Sequence, residues 1–208
     1  MITFVYFDVG GVAIKDFSAS GKWNELKSAL GVTPAKEQQF TTIWNRHIDH
    51  VCIDYDVDQM VAELNAELEL AIPPSTSLIH EFVKRFEKNE SLWPVIQHIQ
   101  TTTRVGLLTD MYPRLLDAIQ KAQLLPPIQW DTVLDSSVEK LQKPDVRLFA
   151  RAEARAGVRG KAILFVENRK QLCDAADAYG WTTFYYDSAD YVGSSAKLHK
   201  FFDHIRLG

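Results

Sequence analysis

Four polar residues stand where short apolar runs end or a helix begins. Asp8 closes TFVYFD, Thr109 closes RVGLLT, Glu167 follows AILFV, and Lys143 precedes the proline and aspartate of QKPD. In an open α/β sheet, residues at the carboxyl ends of the strands share one crevice, where such folds bind ligands. An aspartate at the tip of a first strand, followed at once by Gly10 and Gly11, is placed to act as a nucleophile or a metal ligand. A hydroxyl, an ammonium and a second carboxylate meeting it would form a pocket around an anion. Each residue alone has an equally weighted structural reading: Asp8 as a turn cap, Thr109 with Asp110 or Glu167 as helix caps, Lys143 as a solvated loop lysine. Their joint order and spacing favour the pocket.

The elements that must position these groups follow from periodicity. Apolar runs at 3–8, 104–109, 131–134, 162–166 and 182–186 alternate with helix-period segments beginning at Pro113, Pro144 and Arg169. That alternation predicts a largely parallel sheet with crossover helices. Proline near the first turn of the second helix, and Gly157 and Gly180 after the last two, are the expected start and stop signals. Roughly 90 residues separate the first run from the second, against about 20 to 30 between later runs, so a segment is inserted there. Residues 20–30, 35–49, 57–70 and 76–88 show helical periodicity, with Asp56 and Ser75 at cap positions and Pro73 and Pro74 as breakers. The expected organisation is a core of residues 1–15 and 91–208 and a helical bundle of 16–90 over the sheet's C-terminal edge. Trp23, Trp44, Met60 and Phe82 fall on apolar stripes and are read as packing.

Composition excludes several function classes. The 208 residues are 46% hydrophobic, with 11 Phe, 7 Tyr and 5 Trp, which describes a packed globule. The 23 basic and 27 acidic residues are interspersed, and no basic stripe points to nucleic acid. Cys52 and Cys173 stand far apart, as in a reducing compartment. With no secretory leader and no apolar stretch near the roughly 20 residues that span a bilayer, a cytoplasmic protein without a membrane partner is expected. His47, Asp49, His50, Asp54, Asp56 and Asp58 cluster in the insert and are read as a solvated or substrate-facing turn rather than a second metal site. His80, His98, His199 and His204 have no matched partners in sequence and are assigned no role. Neither GxxxxGK[ST] nor GxGxxG is present, so nucleotide binding of those kinds is not expected.

Taken together, FDVGGV, LLTD, QKPDVRLF and LFVENRKQLCDAADAYGW resemble the four motifs of the haloacid dehalogenase-like (HAD) hydrolase superfamily. The likeness is to its phosphatase-like branch, with a small helical cap inserted after the first motif, and it covers nearly the whole chain. It implies an α/β fold: a Rossmann-like parallel sheet with helices on both faces and an inserted helical cap. It also implies a magnesium-dependent phosphatase of a small phosphorylated metabolite. In that reading Asp8 attacks phosphorus to form an aspartyl-phosphate, Thr109 hydrogen-bonds a phosphoryl oxygen and Lys143 offsets negative charge. Mg2+ would be held by Asp8, the Gly10 carbonyl and Glu167, with Asn168 as a further oxygen donor.

The resemblance departs at two places. Relatives usually carry a second aspartate, the general acid, two residues after the nucleophile, and here that residue is Gly10. General acid catalysis is typically worth about 10²- to 10⁴-fold, so poor leaving groups such as sugar alkoxides should suffer most. The usual acidic pair of the fourth motif is Glu167 and Asn168. These changes motivate two alternatives: a noncatalytic HAD-like binding protein, and a metal-independent haloacid dehalogenase that needs neither a second acid nor a metal.

Overall fold

The computed structural model describes residues 1–207, with side chains to Ile205; Gly208, the last residue of the expected core segment, lies outside the described residues. The chain opens with β1 (Phe4–Phe7), buried throughout, and turns through Gly10 and Gly11 into β2 (Ile14–Lys15). Four helices follow: α1 (Lys22–Ala29), α2 (Glu37–Arg46), α3 (Met60–Leu68) and α4 (Leu78–Val83). The short β3 (Glu87–Lys88) then pairs antiparallel with β2 and closes the base of the insert. The remainder is α5 (Trp93–Gln100), β4 (Arg104–Thr109), α6 (Leu115–Lys121), β5 (Thr132–Asp135), α7 (Ser136–Glu139), α8 (Val146–Ala156), β6 (Ile163–Glu167), α9 (Lys170–Tyr179), β7 (Thr182–Tyr185) and α10 (Tyr191–Leu207). Among the described residues no helix is long and apolar enough to cross a membrane.

The main sheet has the order β5-β4-β1-β6-β7, with every pairing parallel. From β1 the chain steps outward to β4 and β5, then returns to β6 and β7 on the other side. β1 is therefore the switch point, and the crevice at its carboxyl end is where such a sheet binds ligands. Phe7 lies beside both Leu107 and Val166, and the Asp8 amide donates to the Val166 carbonyl at 2.9 Å. This register brings Asp8, Thr109 and Glu167 to one edge.

Side chains alternate across β1, so each face of the sheet has its own core. Phe4 and Tyr6 pack with Phe165, Leu148, Phe149, Ala152 and Trp181, and the Tyr6 hydroxyl is satisfied by donating to the Ala152 carbonyl at 2.8 Å. Val5 and Phe7 belong to a larger core that continues into the insert through Leu26, Phe40, Met60 and Phe82. Gly106 in β4 has no room for a side chain, since a Cβ there would stand 2.8 Å from the Thr132 carbonyl oxygen and 3.0 Å from the Phe4 ring.

The insert differs from its expected form in two details. Residues 76–88 are not one helix: α4 ends at Val83, and Glu87 and Lys88 pair with β2 instead. Asp56 accepts from the Asp58 amide at 3.1 Å at the start of a 3-10 turn, as a cap should, but Ser75 does not cap α4. A turn closed by Thr76 N to the Pro73 carbonyl encloses Ser75, so Ser77, with extended backbone, accepts from the His80 amide at 3.2 Å. The loop at residues 52–58 is fastened over the sheet's C-terminal edge. Ser136 Oγ donates to the Cys52 carbonyl, Lys140 Nζ reaches the Ile53 carbonyl at 2.8 Å, and the Arg114 guanidinium pairs with Asp56 and with Asp58 at 3.0 Å.

Phe82 is fully buried, and its ring meets Phe17, Trp23, Trp44 and Tyr112, the last at 5.6 Å. Phe82→Ala is expected to lower the unfolding free energy by about 3–5 kcal/mol, measured by urea denaturation. A loss below about 1 kcal/mol would show that this cluster does not bind insert to core.

Candidate functional site

A buried ammonium organises the carboxyl edge. Lys143 Nζ lies 3.1 Å from Asp8 Oδ1 and 2.7 Å from Glu167 Oε2, and its side chain is fully excluded from solvent. The backbone amide of Lys143 donates to Asp110 Oδ1 at 2.9 Å, Asp110 Oδ2 takes the Arg169 guanidinium at 2.6 Å, and the Arg169 amide donates to Glu167 Oε1 at 2.9 Å. Residues from the second, third and fourth motifs thus close into one hydrogen-bonded ring, and Asp8 of the first pairs with its ammonium. The extended residue before α8 delivers Lys143, and Asp145 begins that helix by accepting from the Arg147 amide at 2.8 Å.

Charge state follows from burial and neighbours. Burial opposes the Lys143 ammonium, but the charges of Asp8, Glu167 and Asp110 outweigh it and hold the group above the usual lysine range. Burial, reinforced by Asp8, pushes the Glu167 carboxyl up, while Lys143 pulls it back. The Arg169 guanidinium is likewise held charged by Asp8, Glu167 and Asp110 against the cost of its burial.

Beside this ring lies a cavity of about 240 Å³ whose lining includes Asp8, Gly10, Asp16, Cys52, Asp110, Asn168 and Arg169, with Phe17, Phe86 and Tyr112 toward the insert. Asn168 Nδ2 donates to Ser188 Oγ at 2.9 Å and to Ser18 Oγ at 3.3 Å, which leaves its Oδ1 as the accepting end. Gly11 permits this contact: its φ is +72°, and a Cβ there would fall 2.0 Å from Asn168 Nδ2. Burial pushes the Cys52 thiol up to about 12, so it stays protonated at neutral pH and offers no nucleophile.

Asp8, Lys143 and Glu167 are brought into contact and Asp8, Gly10 and Asn168 line the cavity, whereas Lys143, Thr109 and Glu167 are not among its lining residues, and one role changes. Glu167, expected as a metal ligand, has no exposed surface, does not line the cavity and has both oxygens engaged by Lys143 and the Arg169 amide. Its neighbour Asn168 lines the cavity instead. Thr109 is buried at the end of β4, and its Oγ1 has no hydrogen-bond partner among the described residues. An unpaired buried hydroxyl is costly unless a ligand completes it. Sequence reasoning missed Asp16 and Arg169 as cavity residues and placed Asp110 only as a helix cap; the acidic residue at 16 was visible but was assigned to the start of the insert.

The histidines form no second centre in the insert. His47 pairs with Glu63 at 2.9 Å and stacks on Tyr55, while exposed His50 pairs with Asp54 at 3.0 Å. His98 and His199, read from sequence as lacking partners, do have one. Packing of α5 on α10 puts Asp203 2.8 Å from His98 Nε2 and 3.6 Å from His199 Nε2, in a half-exposed surface group.

No protein-family model matches the chain, and no curated protein sequence does. Solved structures do match. A predicted HAD-like family hydrolase from Porphyromonas gingivalis superposes with a TM-score of 0.73 over 95% of this chain and 98% of its own, at 20% identity. The chain has the HAD-like hydrolase fold. A HAD-family enzyme from Bacteroides thetaiotaomicron, solved in complex with magnesium and inorganic phosphate, superposes with a TM-score of 0.68 over 90% of this chain and 96% of its own, at 15% identity. An L-2-haloacid dehalogenase gives 0.66 over 90% and 84%, at 18% identity. The same fold thus superposes on an enzyme that holds magnesium and phosphate and on a dehalogenase.

Removing one partner from a buried ion group leaves the others uncompensated. Lys143→Met is therefore expected to lower the unfolding free energy by about 3–5 kcal/mol, and adding Glu167→Leu to recover part of that loss. Urea denaturation of the three chains checks this; full stability in the single variant would mean that the ring does not hold the edge together.

Proposed function

We propose that the protein is a magnesium-dependent phosphatase of a small phosphorylated metabolite, acting through an aspartyl-phosphate on Asp8. The observation that carries this reading is the orphaned Thr109 hydroxyl, buried at the same edge as the Asp8 carboxyl group that Lys143 meets at 3.1 Å. A hydroxyl donor and a carboxyl group at one edge suit a reacting group that is electrophilic at its centre and rich in oxygen at its periphery, as phosphoryl is.

Lys143 holds Asp8 by one oxygen, and the Asp8 carboxylate attacks phosphorus. Thr109 donates to a phosphoryl oxygen, and Lys143 with Arg169 offsets the charge that spreads over the equatorial oxygens. Glu167 acts through Lys143 by fixing its ammonium. Asp8, the Gly10 carbonyl and Asn168 Oδ1 form an all-oxygen donor set, which fits magnesium, an ion that takes one or two carboxylates and completes itself with water and substrate oxygens. When bound there, it would supply positive charge to the phosphoryl oxygens. The magnesium and phosphate held by the Bacteroides thetaiotaomicron enzyme support the reading.

The dehalogenase neighbours favour a second reading, metal-independent hydrolysis of a 2-haloacid. Against it, the haloacid's own carboxylate would have to lie beside those of Asp8 and Asp110.

The test is turnover of p-nitrophenyl phosphate with magnesium and after chelation. Wild type is expected to turn over only with magnesium, Asp8→Asn to fall to background, and Thr109→Val to lose about 10²- to 10³-fold in kcat. Magnesium-dependent turnover that survives Asp8→Asn would remove Asp8 as the nucleophile. Chloride released from a 2-haloacid under chelation would favour dehalogenation, and metabolite binding without any turnover a noncatalytic role.

A further inference from the structure

Resting on that reading, we propose that Asp16 is the proton donor to the leaving group, a catalytic carboxyl that reaches the site from the start of the insert in place of a side chain at position 10. Expelling an alkoxide from phosphorus requires a proton, and Gly10 has none to give. An ideal Cβ built on Gly10 would lie 2.5 Å from Asp16 Oδ2 and 3.4 Å from its Cγ. An aspartate's own carboxylate oxygen stands about 2.4 Å from its Cβ, given ordinary bond lengths and angles. Asp16 thus puts a carboxyl oxygen as near to position 10 as an aspartate there would put its own. The backbone φ of Gly10 is one any residue adopts, so local conformation does not demand glycine, and only the Asp16 carboxyl would have to give way to a Cβ there.

Two further observations agree. Asp8, Gly10 and Asp16 line the same cavity, so nucleophile and donor face one volume. The Asp16 carboxyl is anchored, with Oδ1 accepting from the Ser18 amide at 2.8 Å.

The step balances. As an Asp8 oxygen bonds to phosphorus, the bond from phosphorus to the leaving oxygen breaks, and that oxygen keeps the electron pair and takes the Asp16 proton to depart as an alcohol. Water then attacks the aspartyl-phosphate, giving one proton to the Asp16 carboxylate. The bond from phosphorus to the Asp8 oxygen breaks, releasing phosphate and restoring both carboxyl groups.

A donor matters in proportion to the basicity of the leaving group, whereas a purely structural carboxyl does not. The experiment compares kcat/KM for an alkyl phosphate, glycerol 2-phosphate, with that for p-nitrophenyl phosphate, whose leaving group needs no proton. Asp16→Asn is expected to lower the alkyl-to-aryl ratio by about 10²-fold or more. A Gly10→Asp, Asp16→Ala double variant, which moves the carboxyl to position 10, is expected to restore the ratio to within about tenfold of wild type, and it also serves if Asp16→Asn folds poorly. A wild-type ratio in Asp16→Asn, or equal losses on both esters with no recovery in the double variant, overturns the assignment and leaves the phosphatase reading standing. Wild type inert toward both esters overturns the two together.

Discussion

The fold's edge depends on one ammonium placed where no water reaches it. Lys143 sits between Asp8 and Glu167, and removing it would leave the buried Glu167 carboxyl without the charge that opposes its desolvation. The requirement runs in both directions, since an unpaired lysine there would shed its proton. Three strands and one helix start therefore have to arrive in register. The Phe7 pairings with Leu107 and Val166 supply that register, and the Asp110 to Arg169 contact closes the ring from outside.

The parallel strands were the most legible part of the sequence. Strands buried on both faces read as unbroken apolar runs, and RVGLLT coincides with β4 from Arg104 to Thr109. The two-residue strands β2 and β3 carry no periodicity, which is why Glu87 and Lys88 read as helix. The site was legible as a set of residues and illegible as a set of roles. Glu167 and Asn168 are adjacent, and only the strand's alternation decides that one turns inward to Lys143 and the other toward the cavity. Asp16 reaches Gly10 only because of the turn between β1 and β2, and pairing of His98 with Asp203 required α5 and α10 to meet.

The insert is continuous with the sheet's larger core rather than a separate globule. Phe82 and Trp44 both touch Tyr112, which follows β4, and Leu26, Phe40 and Met60 share the core that contains Val5 and Phe7. Chemistry and shape are divided accordingly: the ends of the parallel strands carry Asp8 and Glu167, while Phe17 after β2 and Phe86 before β3 give the cavity an apolar side.

The loop at residues 52–58 is held differently. Its clasps are the partly exposed Arg114 pairs with Asp56 and Asp58 and single contacts from Lys140 and Ser136. Exposed ion pairs contribute about 0–1 kcal/mol each and weaken as salt rises, whereas the aromatic packing does not. The Arg114 fastening of this loop is therefore expected to slacken as ionic strength rises, while buried Val57 and the aromatic cluster keep the insert seated on the sheet.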